Sequence, residues 1–175
     1  MDKGENIIPA KIIDFNIYGD GERLVGAGSE LELPTASMMT STLTGCGLGG
    51  EIDLPTLGKF QSIEQELPFT MLHSSFVDFL DTTKPCALTF RGAAQILDRE
   101  GITTERGCRV VERGVPKEFK PGKAKMGEAM DTSTKLELFY LMIEVDGENM
   151  LEIDKLNNVY KVRGVDQMAN VRRYI

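Results

Sequence analysis

The stretch "LELFYLMIEVDGENMLEIDKLNNVYKVRGVDQMANVRRYI", residues 136 to 175, decides how the chain is read. Leu138 to Ile143 is an almost uninterrupted apolar run, Asp146 and Gly147 supply turn chemistry, and a second run follows at once. That order describes a strand, a tight hairpin turn and a return strand, because Asp-Gly accepts the positive φ angles that two-residue hairpins need. A run apolar on both faces has to be covered on both faces. The close, "VDQMANVRRYI", is short, basic and compatible with one helical turn.

Working outward, "CALTFRGAAQILDREGITTERGCRVVERGVPKEFKPG" from Cys86 reads as a long hairpin turning near "DREG". Ile12 to Tyr18 is a β-branched and aromatic run that ends in "GDG". Leu31 and Leu33 alternate with Glu30 and Glu32 up to Pro34, the pattern of a further strand. "FQSIEQELPFT", residues 60 to 70, resumes that pattern. One helix is expected over 71–80, where Leu72, Phe76, Phe79 and Leu80 share a packing face, Thr70 or Ser74 caps the start, and Pro85 lies beyond its end. His73 falls in its first turn and reads as a surface or capping residue.

Two segments have no clear period. The stretch from Ala36 to Gly58 holds five glycines, one of them following Thr44 and another preceding Glu51; residues 121–134 form a second loop. "GCGLGGEID" is no phosphate cradle, since Glu51, Ile52 and Asp53 stand where a Lys and a Ser or Thr would be required. A compact domain rarely keeps so long a loop without using it, and Leu43, Leu48, Ile52, Leu54 and Leu57 are too many apolar groups for a free linker. On residues alone, folding back over its own sheet and reaching to another chain are equal alternatives.

Composition sets the class. The 175 residues suit one domain, 41% hydrophobic and 27% charged, with a net charge of −7. Overall acidity without tryptophan argues against a basic groove for nucleic acid. No apolar run is long enough for a membrane helix, and "MDKGENIIPAK" lacks a secretory pattern, so synthesis in the cytoplasm is expected. Cys46, Cys86 and Cys108 are scattered, and His73 is the sole histidine, which argues against a zinc cluster, a disulfide framework or a His-based catalytic site. Pairs such as Glu30 with Glu32 are the solvated face of a strand before they are catalytic acids. Charge is also unevenly spread: residues 105 to 125 hold seven basic and three acidic groups, and residues 126 to 154 one basic and eight acidic. Such blocks suit surfaces of opposite sign that meet in self-association.

The 136–175 segment, with its apolar strand, "DGENMLEID", "NNVYKVRGVD" and "RRYI", resembles the end of the major tail tube proteins of P2-like contractile-tailed phages. "GCGLGGEIDLPTLGKFQSIEQELPF" resembles that family's Gly-rich arm, and "RGVPKEFKPGKAKMGEAMDTSTKLELFY" its approach to the last strands, so the likeness runs over about residues 10 to 175. The resemblance implies a mainly β fold, a sandwich or half-barrel with one flanking helix and long inter-subunit loops, as a single domain over 1–175. It implies rings of six stacked into the inner tube of a contractile phage tail or an R-type bacteriocin, with no cofactor and no chemistry. The partners implied are other copies, the contractile sheath, a baseplate or tube initiator, a tape measure protein and, in a phage, DNA in the lumen.

Under this likeness residues 38–58 become an inter-subunit arm, carried by Leu43, Gly45, Gly47, Leu48, Gly49, Gly50, Ile52, Leu54 and Leu57. Glu64, Glu66, Glu137 and Glu144 are then expected on the lumen face, where they would repel DNA. A monomeric β-barrel or β-sandwich binding module, or a secreted type VI tube protein, is the alternative.

Overall fold

The computed structural model describes residues 8–24, 27–28, 30–72, 78–98 and 100–175. Among these, eleven strands form. They are β1 (Ile8–Gly19), β2 (Glu22–Arg23), β3 (Met38–Leu43), β4 (Ile52–Phe60), β5 (Glu64–Phe69), β6 (Cys86–Leu97), β7 (Thr103–Lys120), β8 (Thr132–Val145), β9 (Glu148–Asp154), β10 (Val159–Val162) and β11 (Val165–Asp166). A single turn of helix, α1 (Ala169–Arg172), closes the chain. The protein is mainly β.

Nine strands make one antiparallel sheet in the order β11-β10-β9-β8-β7-β6-β1-β2, with β5 added to β8. The turns are short where the sequence asks for it. Asp20 and Gly21, and Asp146 and Gly147, each supply two successive positive φ angles between paired strands. That is the twist-matched two-residue hairpin connection. The β6–β7 turn is closed differently, by the Asp98 carboxylate accepting from the Glu100 and Ile102 amides at 2.9 and 2.8 Å.

The strand β8 organises the fold. Along one edge it pairs with β7, and along the other it pairs first with β5, through Glu64↔Glu137 to Phe69↔Thr132, and then with β9. The change of partner falls at Leu138 and Phe139. The Leu138 amide donates to the Ile63 carbonyl at 2.8 Å, and the Phe139 carbonyl accepts from the Lys155 amide at 2.8 Å. Phe139 is also the extra residue of a bulge opposite Arg113 and Gly114. A bulge there bends the strand and increases its twist.

The core lies on one face of this bent sheet. Leu136, Leu138 and Leu141 of β8, Ile63 and Leu67 beside and within β5, Leu88 and Phe90 of β6, Val110 of β7 and Ile153 of β9 are all buried in it. Each fully buried aliphatic side chain of this size contributes about 1.5–3 kcal/mol, which makes β8 the strand least tolerant of change. Phe15 packs on Phe90 at 5.3 Å between ring centroids, and Phe60 meets Tyr160 edge-on at 5.2 Å.

One expectation changes, and another falls largely outside the described residues. Glu30 to Pro34 is not a strand: the Gln65 side chain donates to the Glu32 carbonyl at 2.9 Å, taking the acceptor a neighbouring strand would use, and Pro34 has no amide to give. Of the helix expected over 71–80, residues 73–77, including His73 and Phe76, lie outside the described residues. The described part is one 3-10 turn, Asp78–Leu80. Phe79 is buried in the core and packs on Phe69, Leu80 is half-buried against it, and Leu72 is exposed.

Candidate assembly surface

The aperiodic stretch is an ordered hairpin. β3 and β4 pair only with each other, through Leu43↔Ile52, Thr42↔Asp53, Ser41↔Leu54 and Thr40↔Pro55. Directly opposed residues share a face, so Leu43, Ile52 and Leu54 stand together on one side with Met39, two positions before Ser41. Thr40, Thr42, Asp53 and Pro55 occupy the other. The Thr42 hydroxyl donates to the Asp53 carboxylate at 2.7 Å, which fixes that polar side. Met39, Leu43, Leu48, Ile52, Leu54 and Leu57 are each between 45% and 51% exposed. One face of a free-standing ribbon is therefore apolar and uncovered.

Its neck is equally defined. Between Met38↔Phe60 and Thr40↔Pro55 the register jumps, leaving residues 56–59 bulged out of the ladder. Gly58 adopts φ +67° against the side chain of Met168, which is buried. The tip, Thr44 to Glu51, holds Gly45, Gly47, Gly49 and Gly50 together with exposed Cys46; only Gly47 among these glycines has a positive φ. The thiol of Cys86 is buried in the core, and that of Cys108 faces the Gly92 carbonyl at 3.4 Å.

The acids expected on one surface are all on the sheet face turned away from the core. Glu64 stands directly opposite Glu137, Glu66 opposite Lys135, and Glu144 opposite Arg109. They are not a bare acidic wall. Lys117 bonds Glu64 and lies 3.6 Å from Glu137; Lys155 lies 3.3 Å from Glu137; Ser62 also donates to Glu137. Lys135 lies 4.0 Å from Glu66 and 3.6 Å from Glu118, and Arg109 bonds Glu144. Partial burial pushes the Glu137 carboxyl up, but the Ser62 and Lys155 hydrogen bonds and the charges of Lys155 and Lys117 outweigh it, holding it below the usual range. Lys117 and Arg109 of the basic block at 105 to 125 are thus spent inside the chain, as are Lys155 on Glu137, Lys161 on Glu152 and Arg172 on Asp166.

Two open clefts of about 360 and 380 Å³ flank β5, and both are lined by charged and polar groups, including Glu66 in each. Among the described residues no group of three His, Cys, Asp or Glu side chains converges as a metal site, and no helix is long and apolar enough to cross a membrane. One buried carboxyl stands out: Glu112 of β7, between Leu88 and Leu141 on the core face, is 3% exposed and lacks a partner for Oε1, and burial pushes its pKa up to about 8.

The comparisons with known proteins agree with the resemblance read from the sequence. The chain is 28% identical over 173 residues to the tail tube protein of Escherichia phage P2, covering 96% of this chain and 98% of that one. It is 27% identical over 159 residues to the major tail tube protein of Serratia phage KSP20, covering 90% of each. The family model of phage tail tube protein FII matches residues 9–175, nearly the whole chain. A match of that extent makes this chain a member of the phage tail tube protein FII family, a family of structural proteins and not of enzymes.

Proposed function

We propose that the chain is the subunit of the inner tube of a contractile phage tail or phage-tail-like bacteriocin, polymerising as stacked rings of six. The observation that carries the assembly reading is the β3–β4 hairpin with its uncovered apolar face. A ribbon of this kind gains by burying Leu43, Ile52 and Leu54 on another chain, in the same subunit position repeated along the assembly. The long edge of β1 supports the same reading. Between Ile8 and Asn16 it pairs with β6 alone, so its other edge is free of strand partners among the described residues, and Ile8, Ile12 and Ile13 are more than half exposed. An open edge beside exposed apolar residues is a liability in a monomer and an asset in an assembly.

In this reading the tube is part of the virion tail and runs inside a sheath from a baseplate initiator. The tape measure protein and then DNA occupy its lumen. The charged face of β5 and of β8 up to the bulge at Phe139, with Glu64, Glu66 and Glu137, faces that lumen as a mixed, ion-paired surface whose excess acids keep DNA from adhering. The test is negative-stain electron microscopy of the purified full chain, alone and added to tail baseplates. Hollow tubes or six-membered rings are expected. A protein that stays monomeric and also fails to extend baseplates refutes the tube reading.

A further inference from the structure

Across β6 and β7, on the face turned away from the core, Arg91 stands directly opposite Arg109. Like charges in that position destabilise a sheet unless something compensates. Arg109 has its compensation in Glu144, its partner across β7 and β8. Arg91 and Arg113 have no ion pair among the described residues. Both are instead laid over tyrosines, Arg91 at 5.5 Å from the Tyr18 ring centroid and Arg113 at 4.9 Å from that of Tyr140. Stacking orders a guanidinium but leaves its N–H edge free to bond a carboxylate. Between the two stands half-buried Val111, opposite Thr89 on one side and half-buried Met142 on the other. Ordered Arg and Tyr around a small apolar centre is the composition of an interface hot spot.

The same chain offers the complement. Glu30 and Glu32 are exposed and form no ion pair among the described residues. The segment that bears them is held in place: Leu31 packs on the core, and the Glu32 carbonyl accepts from Gln65. Glu32 borders one cleft beside β5 and Glu30 the other, with Glu66 common to both. Lys135 answers Glu66, and among the described residues no cation pairs with the other two. An acidic edge and a basic sheet face on one chain are complementary between copies. They can meet head to tail, the contact that closes rings or extends filaments.

We propose that the Arg91, Arg113, Tyr18 and Tyr140 surface receives the Glu30 and Glu32 edge of a second copy of this chain. The proposal rests on the tube reading, and names the polar contact that would set register where the apolar arm supplies adhesion.

The experiment uses the full chain and scores tube formation by electron microscopy and pelleting. The variant carrying R91E and R113E is expected to keep its thermal unfolding and to lose tubes. Adding E30R and E32R to that same chain is expected to restore them. The milder R91Q and R113Q pair, which leaves no reversed charge to disturb the sheet, is expected to raise the concentration needed for assembly by about tenfold or more and to weaken its salt dependence. Wild-type tubes together with a folded R91E and R113E chain that polymerises as well, or a loss that E30R and E32R do not repair, overturn the proposal and leave the tube reading intact. A wild-type chain that never extends a baseplate removes the tube reading and this contact with it.

Discussion

Gly114 of β7 lies directly across from Leu138 of β8, at the point where β8 exchanges β5 for β9 as its partner. A Cβ on Gly114 would run into the Glu137 carbonyl oxygen, and its other near neighbours are the Glu137 carbonyl carbon and the Leu138 side chain. Backbone cannot yield as a side-chain end can. The change Gly114→Ala is therefore expected to destabilise the fold by about 1–3 kcal/mol, through overpacking at the bulge. Urea unfolding of both proteins checks this; an unchanged midpoint would mean that the bulge relaxes freely.

Glu112 makes stability fall with rising pH. Its carboxyl has an ordinary value of 4.5 and is raised to about 8 in the folded chain, so the folded state keeps a proton that the unfolded chain has already released. The unfolded state binds fewer protons between those two values, and stability declines across that window and levels off above about pH 8. At about 1.36 kcal/mol per unit, the full cost approaches roughly 5 kcal/mol. Glu112→Gln keeps the shape without the charge and is expected to flatten this dependence, most visibly at pH 8 to 9. Denaturation of the two proteins at pH 5, 7 and 9 decides it; parallel curves would place the pH dependence elsewhere.

The arm separates folding from assembly. Leu43, Ile52 and Leu54 are about half exposed and touch no part of the main core cluster. Replacing all three with Ser is expected to cost the subunit under about 1 kcal/mol per residue, since little of their surface leaves water on folding. Tube extension on baseplates is expected to cease. A triple variant that melts like the wild type and still elongates would show that the apolar face of the hairpin is not the adhesive one.

How far the sequence could carry this is clear from individual stretches. The strand at Leu138 to Ile143 was legible because its apolar run exceeds any helical or loop pattern, and the turns at Asp20-Gly21 and Asp146-Gly147 because that dipeptide has one common use. The hairpin at Met38–Phe60 was not, since the block Thr40, Ser41 and Thr42 breaks the alternation of its apolar residues, eight turn residues interrupt it, and four more bulge from its neck. Glu30 to Pro34 misled because its alternation is real while its hydrogen-bond partner is a side chain. The ion pairs of Glu64, Glu66, Glu137 and Glu144 depend on which residues β5, β7 and β8 set opposite one another. Register of that kind is fixed by three-dimensional pairing, and a shift of one residue inverts the face.

The network around Glu137 offers the last test. Its carboxylate draws on Ser62, Lys117 and Lys155, three elements that meet where β5 gives way to β9. Because the folded chain holds this carboxyl below its ordinary value, the stabilisation it gives is complete above the unfolded value of 4.5 and is lost as pH falls through the lower folded value. Glu137→Gln leaves Lys155 without a carboxylate and leaves Lys117 with Glu64 alone. The variant is expected to lose stability at pH 7, to approach the wild type as the pH is lowered towards 3, and to respond less to added salt. Thermal melts across that range measure the difference. A deficit that persists unchanged in acid would mean that the side chain acts through packing and not through its charge.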